Sequence, residues 1–317
     1  MGRAIRITGT LLALSFIGVL ILRQAPNLPP LDVTSPALWA GLSVGLFLYV
    51  LSQVIAAEAW RAILLLSEVR IAPGLARGQP MVSQIGKYIP GNVAHLFGRV
   101  ALGRQDGVPG SILAASMVLE VGVTLGVGLG VAGAFLLVRP EVIPNLAADY
   151  PDLGTRLLPV AVAALLAIGL GIGAILLRSR LRALDAPRPG LSQLAKPLTL
   201  LVASFLLLGV SLWATTLPFA ADTAPDLVAC TLIFAFAWAA GFVMPGAPGG
   251  IGVRDSIIVL GLAASVGDGS ALAIALLHRG VSVIGDLVTF ATGLLMRRGH
   301  AAGHPKNKPK PAIFASD

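Results

Sequence analysis

The sequence predicts an all-α, polytopic membrane protein of about eight transmembrane helices, interrupted by re-entrant or broken elements. Three observations carry that prediction. Of 317 residues, 56% are hydrophobic and only 12% are charged, about half the charged share of an average soluble domain. Several apolar runs approach the ~20 residues that cross a hydrocarbon core of ~30 Å. The 23 Lys and Arg are also unevenly placed. Nineteen fall in the N-terminus, in 58–110, 178–196 and 253–255, and in the tail from Arg297. Three, Arg23, Arg139 and Arg156, fall in loops on the opposite side, and Arg279 lies within an apolar run. Lys and Arg collect on the cytoplasmic side of membrane proteins, so the net charge of +8 reads as topology and implies no nucleic-acid partner. A soluble globular enzyme, a disordered chain and a nucleic-acid-binding domain are excluded.

The apolar runs, in order, are 5–22, 36–57, 111–138, 157–177, 197–218, 227–244, 256–266 and 271–296. The first has the basic start of a signal peptide (Arg3, Arg6) but no small-x-small cleavage site before Arg23, and is read as an anchor. The seventh counts 11–14 residues from Val253, which suits a half-helix better than a span. Alternating the runs places both termini in the cytoplasm and the acidic loops (Glu141, Asp149 and Asp152; Asp222 and Asp226) outside. The expectation is one transmembrane domain over 1–298 in the cytoplasmic (inner) membrane, then a basic disordered cytoplasmic tail over 299–317.

Residues 78–104 fit neither a span nor an ordinary loop. Pro90 and Gly91 break them into two short helical pieces. Two readings stay open: a re-entrant hairpin entering from the cytoplasmic side, or an amphipathic helix on the membrane surface. A second broken element lies near 245–266. There Pro245, Gly249 and Gly250 end one apolar run, and Val253-Arg254-Asp255 opens the next.

Catalytic chemistry finds no footing. Glycines 246–252 lack the Lys-Ser/Thr of a phosphate loop and the dinucleotide spacing. His95, His278, His300 and His304 show no metal-ligand spacing, and Cys230 is alone. The protein is therefore expected to be no enzyme, with no metal and no cofactor. What remains are ionisable groups at membrane depth, which are costly unless paired or facing a polar cavity. Glu120 lies in the third run, and His278, Arg279 and Asp286 lie in the last. Glu120 is the expected partner of Arg279, as a titrating pair or simply as a helix staple. At the breaks, Lys87, Asn92, Arg99 and Arg254 stand beside helix ends, where a positive dipole end and a cation together suit an anion such as phosphate. The alternative is that they are topogenic charges in ordinary cytoplasmic turns.

The stretches GKYIPGNVAHLFGR at 86–99 and PGAPGGIGVRD at 245–255 resemble the two signature regions of the lysylphosphatidylglycerol synthase/flippase transmembrane family. The resemblance implies re-entrant elements and translocation of a phosphate-containing lipid or lipid-linked sugar. Implied partners are anionic phospholipid or polyprenyl-phosphate glycolipid, a separate lipid-modifying enzyme or glycosyltransferase, and further copies of the chain. Lys87, Asn92, Arg99, Arg254 and Arg279 become expected substrate ligands, and Glu120, Asp255 and Asp286 gating or proton-coupling groups. Val121 stands where the family usually has arginine, and Asp255 where glutamate is more typical. Two rival functions are a secondary transporter for a small soluble anion and a non-catalytic scaffold for an envelope-synthesis enzyme.

Overall fold

The computed structural model describes residues 28–89, 93–138, 191–219, 225–244 and 248–302. The runs at 5–22 and 157–177, the acidic loops other than Asp226, and the tail beyond Ala302 lie outside these residues. The described residues are helical and contain no strand. They form α1 (Pro36–Leu66), α2 (Pro73–Ser83), α3 (Ala94–Gln105), α4 (Gly110–Val138), α5 (Leu191–Thr216), α6 (Leu227–Val243), α7 (Val253–Val266) and α8 (Asp268–Ala302). Four of these helices are long and apolar enough to cross a membrane: α1, α4, α5 and α8. The chain is an all-α, multi-span membrane protein.

Small residues set how the spans approach. Gly41 and Gly45, one turn apart on α1, face α5. A Cβ at Gly41 would stand 2.6 Å from the Ala214 carbonyl oxygen. Two serines of α5 stitch the contact, Ser211 donating to the Gly45 carbonyl at 2.7 Å and Ser204 to the Ser52 carbonyl at 3.2 Å. Close backbone approach and interhelical hydrogen bonds replace the hydrophobic drive that lipid cannot supply. On the outer face of α8, Ile284, Leu287, Val288 and Leu295 are exposed, as lipid contact requires.

The remaining helices form two hairpins. In the first, α2 and α3 run antiparallel, Gly86 packing on His95 and Gly98 on Ser83. A short 3₁₀ turn, Gln84–Tyr88, forms its tip. Its open end is anchored by Asp106, which accepts two bonds from Arg297 near the C-terminus of α8, both at 2.8 Å. In the second hairpin α6 and α7 run antiparallel, Gly261 against Ile233. Its open end leads through Gly267 directly into the start of α8. The hairpins therefore enter from opposite ends of the bundle. α6 and α7, of 17 and 14 residues, are about 25 and 21 Å long, short of the ~30 Å core.

Their tips meet. Gly249, in the 3₁₀ turn Pro248–Gly250, packs on the Tyr88 ring and the Lys87 stem. Both tips touch α8 between Arg279 and Asp286, near the middle of its length. Helices this short suit the broken element expected near 245–266 better than an ordinary turn between two full spans. Gly249, Gly250 and Gly252 adopt φ of 58°, 72° and 86°, left-handed values that side chains resist. Pro90, Gly91, Asn92 and Pro245 lie outside the described residues.

Candidate functional site

Where the tips meet, a cavity of about 190 Å³ opens. Its wall takes Lys87 from the first tip, Arg99 from α3, Glu120 from α4, and Gly249, Gly250 and Arg254 from the second break. These residues are far apart in sequence, and the two hairpins bring them together. The same cavity is lined by apolar residues as well, Leu201, Phe205 and Leu208 of α5 with Trp238 and Phe242 of α6. The Phe205 ring stands edge-on to Trp238 at 5.2 Å, and Trp238 stacks on Phe242 at the same separation.

The charges are paired in a pattern the sequence does not reveal. Arg99 binds Glu120 and lies over the Trp60 ring at 4.9 Å. Arg279 makes a forked pair with Asp255, through Nε at 3.0 Å and a terminal nitrogen at 2.6 Å. It also donates to the Gly249 carbonyl at 3.2 Å. The expected Glu120–Arg279 pair is absent. The second hairpin gives Arg279 a nearer acid, and α3 gives Glu120 a nearer base. Asp255 also accepts the Gly252 N–H at 3.1 Å. The positive end of α7 is thus answered by a carboxylate of its own first turn. That corrects the expectation that this helix end is free for an anion.

Asp286 is 2% exposed and receives four side-chain donors. Tyr49 donates at 3.0 Å, Gln84 at 3.2 Å, Lys87 at 2.9 Å, and Tyr88 through its hydroxyl. This one carboxylate therefore ties α1, α8 and the first tip together. Sequence reasoning missed Tyr49. A tyrosine in the middle of an apolar run is a usable signal, because tyrosines favour membrane interfaces and a buried hydroxyl needs a partner.

Arg254 differs from the other cations. It is 6% exposed, and among the described residues no carboxylate forms an ion pair with it. One terminal nitrogen donates to Ser282 at 2.9 Å, and the guanidinium lies over the Phe234 ring at 5.4 Å. Its Nε has no partner. Three other buried polar atoms without partners belong to residues on the same cavity wall: Arg99 Nε, Thr289 Oγ1 and His95 Nδ1. His95 lies outside the four spans. Burial, together with Arg99 and Lys87 beside it, pushes its imidazole down to about 4, so it adds no charge at neutral pH. Buried polar groups are nearly always bonded. What suits the cavity to an anionic ligand is Arg254, a cation in its lining without an acid partner among the described residues.

A second hollow, of about 340 Å³, borders the same tips between Ile85, Tyr88, Ile251, Leu276, Val283 and Leu287. Arg279 and Asp255 reach it, but they neutralise each other. This second hollow is apolar; of the six unpartnered buried polar atoms among the described residues, four belong to residues lining the first and two to His278, which lines neither. Among the described residues no group of His, Cys, Asp and Glu could hold a metal ion. Compared with known protein families and curated proteins, the chain matches no family model and no curated protein.

Proposed function

We propose that the protein translocates a phosphate-containing lipid, or a lipid-linked sugar, across the cytoplasmic membrane. The observation that carries this reading is Arg254, a buried guanidinium without an acid partner among the described residues, in a cavity also lined by apolar side chains of α5 and α6. Burying a cation costs several kcal/mol unless something compensates it, and a phosphate arriving in the cavity does so. The aliphatic and aromatic wall of α5 and α6 offers tail contacts that a small inorganic anion cannot use. That feature favours a lipid over the small-anion transporter. Paired cations in the mid-membrane argue against a scaffold, which has no need to bury them.

In this mechanism the phosphate enters from the cytoplasmic side along α3, where Arg99 stands, and docks at Arg254. Lys87 stays on Asp286 and Arg99 on Glu120, so the charge of the phosphate is met by Arg254. The hairpins, entering from opposite ends, form the two halves between which access alternates, as broken helices do in many transporters. The first hairpin is the re-entrant element in this reading, because its tip reaches mid-α8. The likeness of 86–99 and 245–255 to the lysylphosphatidylglycerol synthase/flippase transmembrane family points the same way.

The test is a flipping assay with a fluorescent phospholipid in proteoliposomes. The wild-type chain should move the lipid, and Arg254→Ala should slow it at least tenfold while still inserting. Wild-type rates from Arg254→Ala would sink the reading.

A further inference from the structure

The same cavity carries information about the charge of what it binds. Four basic and three acidic side chains gather at the hairpin tips. Lys87 is held by Asp286 at 2.8 Å, Arg99 by Glu120, and Arg279 by Asp255 at 2.6 Å. Arg254 alone is left over, so the described site carries one surplus positive charge. Two further, partly buried acids outside the cavity lining are engaged elsewhere, Asp106 by Arg297 and Glu58 by Arg61 and Arg77.

We propose that the site takes a singly charged phosphodiester headgroup and discriminates against diphosphates. This rests on the lipid-translocation reading above and narrows its substrate. A phosphodiester carries one negative charge and two non-bridging oxygens. One charge neutralises Arg254, whose side chain is part of the cavity lining. A diphosphate brings at least one further negative charge. Lodged in a buried site, it must either stay uncompensated or pull Lys87 and Arg99 off their acids, leaving Asp286 or Glu120 bare. The selection is electrostatic and negative: the wrong headgroup is rejected because each paired cation is already committed.

The charge count makes a prediction in the opposite direction. Glu120→Gln removes one negative charge and frees Arg99, raising the surplus to two. That variant should accept a diphosphate the wild-type chain rejects.

Binding is measured on the purified full chain in maltoside micelles with three probes. Two share the same diacylglycerol, phosphatidylglycerol and diacylglycerol pyrophosphate; the third is soluble glycerophosphoglycerol. The wild-type chain should bind phosphatidylglycerol at least tenfold more tightly than the pyrophosphate lipid. Arg254→Gln should weaken phosphatidylglycerol binding at least tenfold, and Glu120→Gln should move the ratio at least tenfold toward the pyrophosphate lipid. A pyrophosphate lipid binding the wild-type chain as tightly as phosphatidylglycerol, or a folded Glu120→Gln with an unmoved ratio, overturns the charge selection and leaves lipid translocation standing. Glycerophosphoglycerol binding as tightly as phosphatidylglycerol overturns the lipid reading and keeps the phosphodiester preference. No binding of any probe overturns both.

Discussion

At the scale of single residues, the site separates charges that look equivalent in sequence. Arg254 stands at the second break and Arg279 in the last apolar run; the fold brings both to the same tip, and of the two Arg254 lacks an acid. Arg279 holds α8 to the start of α7 and to the Gly249 carbonyl. Arg279→Ala should therefore act first on stability. Asp255 would keep only the Gly252 N–H in a site where it is 4% exposed, and stranding a buried carboxylate costs about 3 kcal/mol or more. A melting curve in detergent should show the loss, and Arg279→Met with Asp255→Leu should recover most of it, since removing both partners leaves no bare charge. A double variant as unstable as the single one would contradict the clamp. For Arg254→Ala the order is reversed: transport falls while the melting temperature holds or rises, because an uncompensated buried charge is removed.

Among the elements, the two hairpins depend on backbone geometry as much as on side chains. Gly249 has φ of 58°, and a Cβ there would meet the Tyr88 ring at 3.3 Å. Gly249→Ala should cost about 1–2 kcal/mol from the left-handed conformation. It should also push the tips apart, so flipping should fall further than that destabilisation explains. Measured together, a modest drop in melting temperature and a large drop in transport support the tip contact as functional. Proportionate losses would reduce it to a packing detail. Much of this level is legible in sequence: the breaks at 78–104 and 245–266 are signalled by proline, glycine and short apolar length. That the tips touch is not, because Tyr88 and Gly249 are 161 positions apart and neither residue type announces a partner.

For the whole molecule, the hairpins enter from opposite ends, one anchored by Arg297 on Asp106 and the other opening into Asp268. With a cytoplasmic C-terminus, Arg70 lies inside and Asp268 outside. In a chain carrying Cys230→Ala, Arg70→Cys should react with an impermeant thiol reagent only after the membrane is opened. Asp268→Cys should react in intact cells, and both residues are exposed. Labelling of the two positions from the same side would overturn the opposed arrangement.

Composition and spacing alone determined that this chain lives in a bilayer, because a chain with 12% charged residues has too few to build a water-facing surface. They also marked where its helices break, since proline and glycine act locally on the backbone. Tertiary structure alone decided which charge is spare. Glu120 looked like the partner of Arg279 while only the run of residues was known, and α3 supplied Arg99 instead. Pairing is a matter of distance between elements far apart in the chain, and no local pattern encodes it. At the hairpin tips, the guanidinium without an acid partner stands out only once the three other cations there are matched with their acids.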